Sequence, residues 1–252
     1  LVALEIATKE MEMNHGLVVS DLHLFSRRSD GEKLWTQIDQ HRGNAEILIL
    51  NGDTFDFRWS QFSAEAESIE AALAWVERLT RDGRWKQIHY IFGNHDCLDE
   101  FTRELRQLSA ERQMLECHEL HLQLGRCFFL HGDCANSRMT PADLKRYRAS
   151  WSKDRPRGAW SKALYDGVDA LGVSKVFHEL YFPRERTIGR IVHHLNQVFP
   201  EWREQVDHCY FGHTHQPFSG ETHEGVAFHN TGSGIRGMGF QPLCFTTSSD
   251  PQ

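Results

Sequence analysis

Leu17-Val18-Val19-Ser20-Asp21-Leu22-His23 and Ile47-Leu48-Ile49-Leu50-Asn51-Gly52-Asp53 share one plan: a short apolar run that ends abruptly in a polar cluster. The apolar part is too short and too rich in β-branched residues for a helix, and its bounding by Gly, Asp and Asn marks a buried strand. The plan recurs downstream. Ile88–Phe92 runs into Gly93-Asn94-His95-Asp96, Cys127–His131 into Gly132-Asp133, and Val206–Phe211 into Gly212-His213-Thr214-His215.

Between these runs lie helical patterns at Glu32–Arg42, Ala64–Asp82 and Asp99–Glu111, with Ile69, Leu73, Val76 and Leu79 at spacings of three and four. Strand, helix, strand in alternation predicts largely parallel pairing and an α/β fold. Leu120–Leu124 turns through Gly125-Arg126 into Cys127–His131 as a hairpin, and Val226–Asn230 and Leu243–Thr246 add strands, so the sheet system is expected to be mixed. Residues 136–206 read differently. They offer a helix start at Thr140-Pro141 and helical spacing at Ile188, Ile191, Val192, Leu195, Val198 and Phe199, and are expected to form a helical insertion within a domain spanning residues 14–252. Residues 1–13 are read as an N-terminal extension.

Composition sets wide bounds. The 252 residues suffice for one large core, and no apolar run reaches the roughly 20 residues of a membrane span. The six cysteines form no CxxC pair and several fall in predicted strands, which fits reduced thiols and a cytoplasmic setting. The chain carries a net charge of −7, yet residues 136–206 hold 13 Lys/Arg against 8 Asp/Glu, and a basic segment on an acidic body reads either as a partner for an anionic substrate or as a solvated helical face.

The polar clusters carry the chemistry. In open α/β sheets sites form at the C-terminal strand ends, so the clusters are expected to converge. Asp21 and His23, two apart, would share one side of an extended strand end, as would His213 and His215. Asp53 can bridge two cations through its two oxygens, and Gly52 beside it allows close backbone approach. Asn94 and His131 add neutral oxygen and nitrogen donors, and such a set suits Mn²⁺, Fe or Zn²⁺ without choosing among them.

In order, Asp21-x-His23, Gly52-Asp53-x-x-Asp56, Gly93-Asn94-His95-Asp96, His131 and Gly212-His213-x-His215 resemble the motifs of the calcineurin-like metallophosphoesterases. The resemblance implies a four-layer αββα sandwich of two mixed sheets with a helical cap insertion over 136–206. It implies one ion on Asp21, His23, Asp53 and His215 and another on Asp53, Asn94, His131 and His213, Mn²⁺ being the expected metal. Two ions about 3.5–4 Å apart lower the pKa of bound water and clamp phosphoryl oxygens, so the expected reaction is phosphoester or pyrophosphate hydrolysis by an activated hydroxide. His95 would serve the leaving group as acid, with Asp96 orienting its imidazole and Asp56 steadying a ligand.

Within the family, the insertion and His131-Gly132-Asp133 are similar to UDP-2,3-diacylglucosamine hydrolases, whose insertion receives acyl chains. Trp151, Trp160, Phe177, Tyr181 and Phe182 would line such a chamber, with contact at the inner membrane face at most peripheral. The chain departs from those hydrolases at His95, where they carry Arg, and at Cys134-Ala135-Asn136-Ser137. Asn94-His95-Asp96 is shared with nucleases and nucleotide phosphodiesterases, which form the enzymatic alternative; the net charge of −7 argues against nucleic acid. A non-catalytic scaffold of the same fold is the alternative from another class, and it is disfavoured because every motif ligand is present.

Overall fold

Two five-stranded mixed sheets, one facing the other, form the centre of the molecule. The computed structural model describes residues 13–153 and 178–248. The first sheet holds β1 (Met13–Val19), β2 (Ile47–Asn51), β3 (Gln87–Ile91) and β4 (Leu115–His118), all parallel, with β10 (Leu243–Ser248) antiparallel to β1. The second holds β5 (His121–Leu124), β6 (Cys127–Leu130), β7 (His208–Phe211), β8 (Phe218–His223) and β9 (Val226–Asn230), in the order β5-β6-β7-β9-β8. Its central strands β6, β7 and β9 run parallel and its edges antiparallel.

Both faces of the central strands are buried, which is why their sequences are continuously apolar. Alternation sorts the side chains. Leu17, Val19, Leu48, Leu50, Ile88 and Tyr90 face the helices, whereas Val18, Ile47, Ile49 and Ile91 meet Cys127, Phe129 and Tyr210 of the second sheet. Helices α1 (Gly31–His41), α2 (Glu65–Arg81) and α3 (Asp99–Glu111) cover the first sheet, and α2 presents Ile69, Ala72, Val76 and Leu79 to it.

Over the second sheet lie α4 (Pro141–Trp151), α5 (Arg184–Val198) and the short α6 (Trp202–Gln205), through Leu144, Ile188, Ile191, Leu195 and Trp202. The four-layer αββα sandwich is therefore present. Helix α4 starts where the sequence expects: Thr140 accepts from the Asp143 amide, Asp143 accepts from the Thr140 amide in return, and Pro141 takes the first turn. The described parts of 136–206 are helical, but they divide in use. α5 and α6 pack as the outer layer of the second sheet, whereas α4 and the segment around His178–Phe182 reach the strand ends. Trp160 and Phe177 lie outside the described residues.

The expected extension overlaps β1 by one residue, since Met13 pairs with Ser248. All six cysteines are free thiols. Among the described residues, no helix is long and apolar enough to cross a membrane.

Candidate active site

Every motif residue sits just beyond the C-terminal end of a parallel strand. Asp21 and His23 follow β1, Asp53 and Asp56 follow β2, Asn94 and His95 follow β3, His131 follows β6, and His213 and His215 follow β7. The two sheets bring these ends to one edge of the sandwich.

Convergence is achieved by a different backbone from the one the two-residue spacing suggests. Asp21, His23, Asp53, His213 and His215 have φ of 52°, 47°, 50°, 64° and 56°, all in the left-handed region. Non-glycine residues avoid that region, at a cost of about 1–3 kcal/mol each, unless the surroundings enforce it. Here they do. The Asp21 amide donates to the Gly52 carbonyl, the His23 amide to the Asp53 carbonyl, and the His213 amide to both Asp21 carboxylate oxygens at 3.1 and 2.9 Å. The motif glycines give room: a Cβ on Gly93 would overlap the Asp53 carboxylate, and one on Gly212 would overlap that of Asp21.

Among the described residues three donor groups result here, two built from the expected ligands and a third, His23, Asp56 and His95, that shares His23 with the first. In the first, His215 Nε2 lies 3.2 Å from Asp21 Oδ1 and 3.2 Å from His23 Nε2. In the second, Asp53, His131 and His213 group together, with His131 Nε2 3.3 Å from both Asp53 Oδ2 and Asn94 Oδ1. Asp53 Oδ2 is also 4.0 Å from His23 Nε2, so this carboxylate stands between the clusters.

The arrangement fits cations. Asp21, Asp53 and His131 are at most 1% exposed, and among the described residues the ion pairs of Asp21 and Asp53 are with histidines. The Asn51 carbonyl sits 3.3 Å from His131 Nδ1 and takes its proton, which aims the Nε2 lone pair at two oxygens. That contact is favourable with a proton on Nε2 or with a metal ion between them. Burial lowers the His131 pKa, but the Asp53 carboxylate outweighs it and lifts it to about 10, so the pocket calls for a positive charge at that nitrogen. A divalent metal answers the same demand without thiolate donors.

His95 is placed beside these clusters. Its amide donates to Asp53 Oδ1 at 2.8 Å, and its Nδ1 is 3.2 Å from Asp56 Oδ1. Asp56, which is fully buried, also lies 3.5 Å from His23 Nδ1, an ion-pair approach rather than a hydrogen bond, so one carboxylate faces two imidazoles. Burial raises the Asp56 pKa, but the charges of His95 and His23 hold it well below the carboxylate range. For His95, burial is outweighed by the charges of Asp56 and Asp53, which raise its pKa to about 8.

Asp96 is not the residue that orients His95. Its carboxylate is turned into the core, where it accepts from the Thr54 amide, the Tyr90 hydroxyl and the Gly93 amide at 2.8, 2.7 and 2.7 Å. A residue next in sequence to His95 leaves the strand end on the other side, and it ties the β2 and β3 loops together instead. Burial and the Asp53 charge raise its pKa to about 6.

A cavity of about 380 Å³ opens over the clusters, walled by Trp59, Tyr147, Trp151, Tyr181, Phe182 and Arg28 among others. Of these, Trp151, Tyr181 and Phe182 are expected from the sequence. Asn136 and His178 are not: Asn136 Oδ1 lies 3.0 Å from His213 Nε2, and His178 stacks on His215 with ring centroids 4.6 Å apart. Helical spacing carries no signal for either. Arg58 is over the Trp151 ring at 4.5 Å, and His95 meets that ring at 4.9 Å.

The model of the calcineurin-like phosphoesterase family matches residues 17–217, and the chain belongs to that family. It is thus a metal-dependent phosphoesterase. Among solved structures it is similar to a phosphopantetheinyl hydrolase from Mycobacterium tuberculosis, at 12% identity over 86% of this chain and 89% of that one, with a TM-score of 0.42. It is also similar to a dimetal phosphatase from Danio rerio, at 11% identity over 94% and 93% of the two chains, with a TM-score of 0.48. No curated protein matches the chain.

Proposed function

We propose that the chain hydrolyses a phosphodiester or pyrophosphate bond with two divalent ions, Mn²⁺ first among candidates, one held by Asp21, His23, Asp53 and His215 and the other by Asp53, Asn94, His131 and His213. The observation that carries this reading is the position of Asp53 Oδ2, 3.3 Å from His131 Nε2 and 4.0 Å from His23 Nε2, where one carboxylate serves both clusters. Bound there, the ions would supply an acidified water and neutralise phosphoryl charge.

The chain's own residues do the rest. With Nδ1 held by Asp56, His95 has Nε2 left to meet a leaving-group oxygen and give it a proton. Asp56 fixes the imidazole in that orientation and keeps His23 in place. Asn136 orients His213, and Asp96 holds the loops that carry Asp53 and Asn94.

The aromatic wall over the clusters supports a substrate with a sizeable apolar or stacking part beside its phosphate, such as UDP-2,3-diacylglucosamine or a related nucleotide lipid, met on α4 and the 178–182 segment as a cap. Arg28 in the same wall suits an anion. The substrate reading is tested by offering UDP-2,3-diacylglucosamine, single-stranded DNA and cyclic nucleotides to the Mn²⁺-loaded protein. Release of UMP and a lipid monophosphate is expected; turnover of DNA or cyclic nucleotides alone would replace the lipid with a nuclease or nucleotide phosphodiesterase reading. Failure to cleave bis-p-nitrophenyl phosphate with Mn²⁺, Fe²⁺ or Zn²⁺ would overturn the diesterase itself.

A further inference from the structure

Away from the strand ends, three potential donors meet on the edge of the first sheet. β4 is its edge strand, and its register with β3 sets His89 opposite Glu116 and Ile91 opposite His118. Ile88, Tyr90, Leu115 and Cys117 pack into the helix-side core, so His89, Glu116 and His118 alternate onto the other face together. None of the three lines the cavity over the motif residues.

Their donor atoms form a compact triangle. His89 Nδ1 lies 3.1 Å from His118 Nε2 and 3.6 Å from Glu116 Oε2, and His118 Nε2 lies 3.9 Å from that same oxygen. A tetrahedral ion with bonds of about 2.0–2.1 Å has donor-to-donor edges of about 3.3 Å. The two longer edges both end on Glu116, whose side chain is 55% exposed and free to swing inward. His89, 3% exposed, is the fixed corner, and two histidines with one carboxylate leave a fourth position for water.

We propose that His89, Glu116 and His118 form a divalent-metal site of the zinc class, separate from the motif cluster, that pins edge strand β4 to β3. Such a clip acts where a sheet is weakest, at an edge strand of four residues.

The test compares bound Zn²⁺ by equilibrium dialysis and elemental analysis in the wild-type chain, His118→Ala and Glu116→Ala. Each variant is expected to bind one Zn²⁺ fewer than wild type, to show a smaller zinc-induced rise in unfolding temperature, and to keep its bis-p-nitrophenyl phosphate turnover. Asp53→Asn, by contrast, should lose zinc at the motif cluster and keep this one. Equal zinc counts in wild type and both edge-strand variants would overturn the proposal. A chain without phosphoesterase activity would leave the difference of one Zn²⁺ intact, so the two readings fail separately.

Discussion

Arg148→Ala removes a side chain that joins α4 to the strand end bearing His131. Arg148 is 8% and Asp133 1% exposed. The guanidinium forks onto the carboxylate, Nε to Oδ2 at 2.8 Å and Nη2 to Oδ1 at 2.9 Å, and Nη1 donates to the Glu119 carbonyl. Truncation leaves a buried carboxylate without its cation, which costs about 3–5 kcal/mol, whereas an exposed pair would cost about 1 kcal/mol or less. The pH dependence has a definite sign. Burial raises the Asp133 pKa and Arg148 outweighs it, so the folded value lies below 3.8, and the pair's contribution is complete above that pH and lost as pH falls through the folded value. In the variant burial acts with less opposition and the folded pKa rises, so the penalty is full at high pH and is relieved as the carboxyl takes up a proton. Urea unfolding followed by circular dichroism at fixed metal concentration, carried from neutral pH down into the carboxylate range, should show a gap to wild type that narrows toward acid. A gap below about 1 kcal/mol, or one indifferent to pH, would refute the reasoning.

His95→Gln is expected to keep its metal and lose about 10²–10⁴-fold in kcat, because it removes the proton donor beside Asn94 and leaves the donor clusters intact; metal analysis showing a lost ion would contradict the assignment. Asp56→Asn weakens the acceptor that faces both His23 and His95, so Mn²⁺ affinity should fall about 10–100-fold, with activity recovered in part by excess metal. An unchanged Mn²⁺ activation curve would remove Asp56 from this role.

The strand cores were legible because two-sided burial writes itself as an unbroken apolar run: Ile47–Asn51 and Cys127–Leu130 are buried throughout. That these runs belong to two sheets was not written locally, since Ile49 and Phe129 look alike in sequence and differ only in which sheet they face across the interface. β8 left no signal, because four of its six residues are exposed and polar chains can pair at an edge as well as apolar ones. The short β4 was hidden for a related reason: two residues separate it from β5, yet the two strands enter different sheets. In the site, the residues that gather were readable from motif order, but the manner was not. Left-handed backbone at Asp21 and His23 is held by hydrogen bonds that their amides donate to carbonyls of the β2 loop, a tertiary effect that no spacing rule carries. The same holds for Asp56 taking the place expected of Asp96, which depends on which way the β3 loop turns.

The central claim is that Asp53 joins two ions into one reactive centre. Electron paramagnetic resonance of the Mn²⁺-loaded chain, with bis-p-nitrophenyl phosphate turnover measured on the same samples, tests it most directly. The account predicts an exchange-coupled pair in the active wild type, and loss of both coupling and turnover in Asp53→Asn. Isolated, uncoupled Mn²⁺ in a fully active wild type, or coupling and turnover that survive Asp53→Asn, would contradict it.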